Sequence, residues 1–360
     1  MGHASRHDLS MNLRRSSVMA VLLLGLFFQT PFHFRLHAQP APGAPAGQAS
    51  AATVAAAKAL LAMLDESTRA KAVFAFDDAI QRKRWSNLPT GIFQRVGLRL
   101  GDLTPAQRSA AMALLAIALS PSGYQKVVAI MEGDEQLTKG GGPGGKIVFG
   151  RDEYYLSFLG TPSVSSPWLI QFGGHHLALN ITLVGDQGAL TPSHTAAQPS
   201  KFTFEGKTVR PLGEENDQAF ALVNALDATQ QKQAILGAQF RDLVLGPGQE
   251  GKMIMPEGVK ASTFNAKQRT QLLGLIREWV GIIRDEAAAV KMAEVQSNLD
   301  DTWFAWSGPT TAGSAVYFRI QGPTVFIEYA PQRMGGDSTQ HIHTIYRDPT
   351  NEYGARWLKR

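Results

Sequence analysis

Three segments of this chain open in the same way. Thr104-Pro105-Ala106-Gln107, Asp227-Ala228-Thr229-Gln230 and Asn265-Ala266-Lys267-Gln268 each place a capping side chain three residues before a glutamine. In that arrangement the first side chain accepts from an unpaired helical N–H, and the glutamine reaches back to the cap. Pro105 stands at a first helical position, where its missing N–H costs nothing. Helices are therefore expected from these points to about Ser120, Leu236 and Asn298, with an alanine-rich helix over Ala51 to Leu64 before them. The three openings are alike (PAQRSAAMALL, ATQQKQAIL, AKQRTQLLGLI). No fixed period relates them, so shared capping chemistry explains them more simply than an internal repeat.

Strand signals occupy other stretches. Residues 146–149, 154–159, 168–172, 176–184, 315–320, 325–329 and 341–346 are short, β-branched or aromatic, and punctuated by Gly and Pro. A strand group, a helix group and a second strand group specify an α+β fold, with helices packed on a mainly antiparallel sheet that both strand groups share.

The first residues read as an export signal. Arg14 and Arg15 precede the uncharged run VMAVLLLGLFF, and Leu36-His37-Ala38 ends in the small residue a signal peptidase needs. The run falls short of the roughly 20 apolar residues that span a bilayer. The twin arginine also admits the twin-arginine export route. Residues 1–38 are thus expected to be a signal peptide. Residues 39–52, rich in Pro, Ala and Gly, are expected to be a flexible linker, and 53–360 a single large α+β domain. The expected location is periplasmic or secreted, with no integral membrane span after cleavage.

Removal of the leader takes four arginines and one aspartate. It leaves 31 basic and 29 acidic residues, so the pI of 9.4 overstates the basic character of the mature chain. No basic patch interleaved with aromatics occurs, which argues against nucleic acid as a partner. The absence of cysteine rules out disulfides, thiol catalysis and cysteine-ligated metals. Ser165 and Ser307 lack the context of a nucleophile elbow.

Histidine placement carries the functional signal. Of nine histidines, His3, His7, His33 and His37 lie in or beside the leader. The other five fall in two strand-like blocks, GGHHLALN with TPSHT (His175, His176, His194) and HIHTIYRDPTN (His341, His343). Residues two apart on a strand share a face, so His341 and His343 can offer two imidazoles to one cation. His175 and His176 point to opposite faces, so one of them is expected to be a third ligand. His194, or a glutamate from Glu214-Glu215, would complete the shell, the glutamate alternatively acting as base. Neutral imidazole suits zinc, copper or iron. Glu214 and Glu215 also fit an ordinary first helical turn. Asp337 and Asp348 fit turn chemistry. Arg347 can fork onto a substrate carboxylate. Trp303 and Trp306 can line a pocket or simply fill a core.

The motifs WSNLP (85–89), LTPAQR (103–108), PWLIQFGGHHLALN (167–180), RPLGEEND (210–217), DLVLGPGQEGK (242–252), DDTWFAWSGPT (300–310) and HIHTIYRDPTNEYG (341–354) resemble the bacterial domain-of-unknown-function 3500 family from about Arg84 to Gly354. The resemblance implies an exported bacterial protein of one large domain and assigns it no activity. The residues themselves support a metal-dependent enzyme, hydrolytic or oxidative, acting on a small-molecule substrate. The alternative is a non-catalytic periplasmic small-molecule-binding protein, its pocket lined by Trp303, Trp306 and Arg347.

Overall fold

The structure is a computed structural model that describes residues 48–141, 144–334 and 336–358. The expected signal peptide lies outside them, as does most of the expected linker. The first helix, α1 (Gln48–Ala62), begins inside the stretch expected to be linker.

All three capping boxes form. Thr104 with Gln107 opens α4 (Pro105–Ala118), Asp227 with Gln230 opens α7 (Ala228–Ala234), and Asn265 with Gln268 opens α8 (Ala266–Val280). Between them lie α2 (Glu66–Ala72), α3 (Ala79–Arg82), α5 (Pro121–Lys139) and α6 (Gly213–Ala225), and α9 (Asp285–Ser297) follows. The run expected to continue to Asn298 breaks at Gly281, which caps α8 before α9 begins.

Eleven strands among the described residues make one sheet. In chain order they are β1 (Val73–Phe74), β2 (Leu98–Arg99), β3 (Tyr155–Leu159), β4 (Trp168–Gly174), β5 (Leu177–Val184), β6 (Gln187–Ala197), then β9 (Val259–Lys260), β10 (Trp303–Ser307), β11 (Tyr317–Gly322), β12 (Val325–Pro331) and β13 (Ile342–Arg347). A separate hairpin pairs β7 (Phe202–Phe204) with β8 (Lys207–Val209). The sheet runs β1-β3-β4-β5-β6-β13-β12-β11-β10-β9, with β2 on β3, and only β1–β3 is parallel. The two strand groups meet where β6 pairs with β13, as an α+β sheet shared by both groups requires. Residues 146–149 form no strand, contributing only a single bridge from Val148 to Thr90.

The expectation of no repeat needs correction. β2, a 3-10 turn (Leu100–Asp102), α4, α5, a second 3-10 turn (Arg151–Glu153) and β3 to β6 recur in order. Their counterparts are β9, Ala261–Thr263, α8, α9, Leu299–Asp301 and β10 to β13. The halves also clasp reciprocally at their helix–helix junctions. Ser120 N–H donates to the Ile282 carbonyl at 3.0 Å, and Arg284 N–H to the Ala118 carbonyl at 3.2 Å. Gly123 permits this approach, since a Cβ there would lie 2.2 Å from the Ile282 oxygen. Capped segment α7 has no place in either copy.

The sheet's two faces are covered differently. One face carries Trp306, Phe318, Tyr329, Thr344 and Tyr346 and packs on the helices; Trp279 of α8 donates its indole N–H to Thr344 at 2.9 Å. The other carries Leu169, Ala178, His194, Phe326, His343 and Ile345. Here the cover is Trp85, Phe76, Leu243, Leu245, Ile254 and Tyr353, from irregular segments. The result is three layers: helices, sheet and a loop layer.

Candidate metal centre

The histidines converge on the loop-covered face. His175 and His176 are the two-residue link between β4 and β5, whose last pair is Gly174 with Leu177. Gly174 is required there because a Cβ would press on the Tyr154 ring at 2.8 Å. His176 adopts φ 63, a left-handed conformation that costs a residue with a side chain roughly 1–2 kcal/mol. Its carbonyl accepts from Ala196 N–H at 2.9 Å, which folds the link back over β6. His341 and His343 approach from the start of β13.

Three ring nitrogens meet. His176 Nε2 lies 3.0 Å from His341 Nε2, which lies 3.1 Å from His343 Nε2. All three side chains are buried. At metal–nitrogen bonds of about 2.0–2.1 Å this spacing corresponds to N–metal–N angles of roughly 95°.

The opposite ring nitrogens set the tautomers. His341 Nδ1 donates to the Met334 carbonyl at 2.6 Å. His343 Nδ1 faces the Asp242 carboxylate at 3.1 Å, with the side-chain amides of Gln332 and Asn87 at 3.4 and 3.5 Å. A proton on His341 Nδ1 turns its Nε2 lone pair inward, and His343 does the same when its Nδ1 donates to Asp242. Carbonyl and carboxylate partners of this kind orient metal-binding imidazoles generally. Burial, reinforced by the neighbouring imidazoles, pushes His176 well below the usual histidine range and His341 down to about 4, so both are neutral at neutral pH. Asp242 is desolvated, but hydrogen bonding and attraction from His343 outweigh that and hold it below the ordinary carboxylate range.

His175 takes another role. Its Nδ1 meets Asp134 Oδ1 at 2.6 Å, and its ring stacks on His176 with centroids 3.6 Å apart. Asp134, on α5, is fully buried and receives the Tyr154 hydroxyl at 3.3 Å. Burial raises its carboxyl despite help from His175, Tyr154 and Arg95. Asp134, His175 and His176 form a second group that could hold a metal ion beside the His176, His341, His343 group. Of the two adjacent histidines, His176 is the one that joins the pair on β13. His194 lies beneath them, its ring centroid 5.4 Å from that of His343.

The remaining expected site residues are placed elsewhere. Glu215 is buried in the helical layer, where Lys126 of α5 bonds it at 2.5 Å while also reaching the Glu278 carbonyl of α8. Glu214 precedes it on α6 and is exposed. The sheet separates that layer from His343, so a glutamate base from this pair is corrected. Trp306 is fully buried on the helical face against Phe220 and Phe318. Trp303 sits near the sheet edge, with Lys260 over its ring at 6.0 Å. Arg347 donates to the Leu245 and Gly246 carbonyls at 2.9 and 2.8 Å and pairs with Glu352. Trp306 and Arg347 are thus engaged by the protein itself. Sequence reasoning missed Asp134, Asp242 and Met334; only Asp242 had a signal, as the first residue of the motif DLVLGPGQEGK.

The fold and cluster define an α+β protein with two overlapping His/Asp groups able to hold a metal ion. The family model described as "Protein of unknown function (DUF3500)" matches residues 46–355, and the chain belongs to that family. No curated protein and no solved structure matches it significantly.

Proposed function

We propose that this is an exported metal-dependent enzyme, hydrolytic or oxidative, whose ion is held by Nε2 of His176, His341 and His343. The observation that carries the reading is the convergence of these three nitrogens, two of them aimed by oxygen acceptors on the far side of their rings. A zinc, copper or iron ion in such a set would act as a Lewis acid or a redox centre with positions left for substrate. The chain's own residues orient and exclude. The Met334 carbonyl and Asp242 fix the His341 and His343 rings, the His175 stack supports His176, and the loop layer keeps bulk water out. Asp242, whose side chain is 48 % exposed, marks the way in from solvent.

Export is supported by the leader. The first residue of protein recovered from the periplasm should be Gln39 or a near neighbour, and recovery of uncleaved protein from the membrane would overturn this part. Metal analysis by mass spectrometry of untagged mature protein should find about one equivalent. His341→Ala and His343→Ala should each lose it while keeping a cooperative melt. Full metal in both variants would end the assignment.

The binding-protein alternative keeps one feature. A cleft of about 160 Å³ on the helical face is lined by Lys201, Arg210, Asn216, Tyr329, Gln340 and their neighbours. It is smaller than the roughly 300–1,000 Å³ of small-molecule pockets, which favours the metal reading.

A further inference from the structure

His194 has no ordinary structural reason to be a histidine. It is fully buried, and neither ring nitrogen has a hydrogen-bond partner among the described residues. Its cross-strand neighbours are Ala178 and Ile345, both apolar. Leaving such a polar group unsatisfied costs about 1–3 kcal/mol, and an apolar side chain of similar shape would avoid that cost. The ring does have chemistry on one side. It shares a face with His343, two residues from its own partner Ile345 on β13, and lies edge-on to it at 5.4 Å. A neutral imidazole presents one N–H and one lone pair.

A second buried polar group without a partner belongs to the same neighbourhood. Arg95 Nη2 donates to the carbonyls of Ser86, Leu88 and Gly174 at 2.7, 2.6 and 2.7 Å, the last of these directly preceding His175. Arg95 Nη1 is buried and unpartnered among the described residues. An unpartnered guanidinium nitrogen and an unpartnered imidazole N–H together offer donors to a compact anion.

We propose that His194 is a ligand-binding residue, donating its ring N–H to a compact anion, of the size of a carboxylate or azide, bound at the open position beside His176, His341 and His343, with Arg95 supplying the countercharge. This rests on the metal reading above. It makes the natural substrate, or the group that stands in the open position, anionic at the reacting end. It also separates His194 from the three metal ligands.

The test uses the full mature protein loaded with cobalt(II), whose visible spectrum reports changes at the open position, and sodium azide as probe. Wild type should take up about one equivalent of cobalt and show a saturable spectral change with azide. His194→Leu should keep the cobalt and melt at the same or higher temperature. Its azide affinity should fall roughly tenfold or more, the loss of one hydrogen bond to a charged group. Should His194→Leu fail to fold, the same readings on His194→Phe, which also lacks an N–H, decide. Unchanged azide affinity in the variant overturns the proposal. Loss of cobalt by the variant overturns it as well, by making His194 a metal ligand, and leaves the metal reading standing. Failure of wild type to bind cobalt overturns the metal reading itself and this proposal with it.

Discussion

His176 shows how much one residue can be asked to do. Its left-handed backbone turns β4 into β5, its carbonyl pins the link to β6, and its Nε2 reaches the pair on β13. A glycine meets the backbone demand without the steric cost. We expect His176→Gly to lose bound metal while its chemical-denaturation stability stays level or rises by up to about 1 kcal/mol. A large destabilisation would mean that the ring is there for packing. The two histidine blocks and the shared face of His341 and His343 were legible because strand periodicity is local. Asp134 and Asp242 were not. Their partners His175 and His343 stand 41 and 101 residues away, and nothing local distinguishes a carboxylate that will be buried from one that will be solvated.

At the scale of elements, the capping boxes were read correctly because their hydrogen bonds close within four residues. Thr104→Ala and Asn265→Ala should each cost about 1 kcal/mol, measured by urea unfolding; a change within error at both sites would mean that packing alone sets these helix starts. The Lys126–Glu215 pair ties α5 to α6, and burial raises the Glu215 carboxyl even with Lys126 beside it. Lys126→Met should cost roughly 3–5 kcal/mol, the penalty for stranding a buried carboxylate, and Lys126→Met with Glu215→Leu should recover part of it. Besides the short strands β1, β2, β7, β8 and β9, two longer ones escaped the sequence reading. β10 looks like an aromatic cluster. β6 contains Gly188, Pro192 and Ser193 where β-branched residues are expected, although it lies in the middle of the sheet. The pairing with β5 shifts register between Leu179 and Ile181, and the Pro192 carbonyl accepts from the Asn180 side chain at 2.8 Å. Such an irregularity is where a central strand tolerates proline.

Across the whole molecule, two copies of one element order close on each other through β6 with β13 and through the junctions at Ser120 and Ile282. The candidate site draws on both copies, taking His176 from the first and His341 and His343 from the second. Among the described residues no helix is long and apolar enough to cross a membrane. The chain end is fastened to α9 through charge. Burial opposes ionisation of Glu294, but Lys291 and Arg356 outweigh it and hold the carboxyl below its ordinary range. A carboxyl depressed in the folded state stabilises above its unfolded value of about 4.3, and the contribution disappears as pH falls through the folded value. Lowering the pH from about 7 to about 3 should therefore depress the melting temperature less in Glu294→Gln than in wild type. An equal fall in both would remove Glu294 from the acid response.

What the sequence determined by itself is what short-range chemistry can specify. It set the capped helices, six of the longer strands, the α+β class, the lack of thiol chemistry and the confinement of the histidines beyond the leader to two strand-rich blocks. The tertiary structure decided which of those histidines meet, and it sent Glu215, Trp306 and Arg347 to other duties. It also revealed a repeated element order that the sequence reading had set aside. The reason is physical. A cap or a strand face is fixed by contacts within a few residues, whereas a site is fixed by register between strands 150 residues apart (β6 against β13, His194 opposite Ile345) and by which face each layer covers.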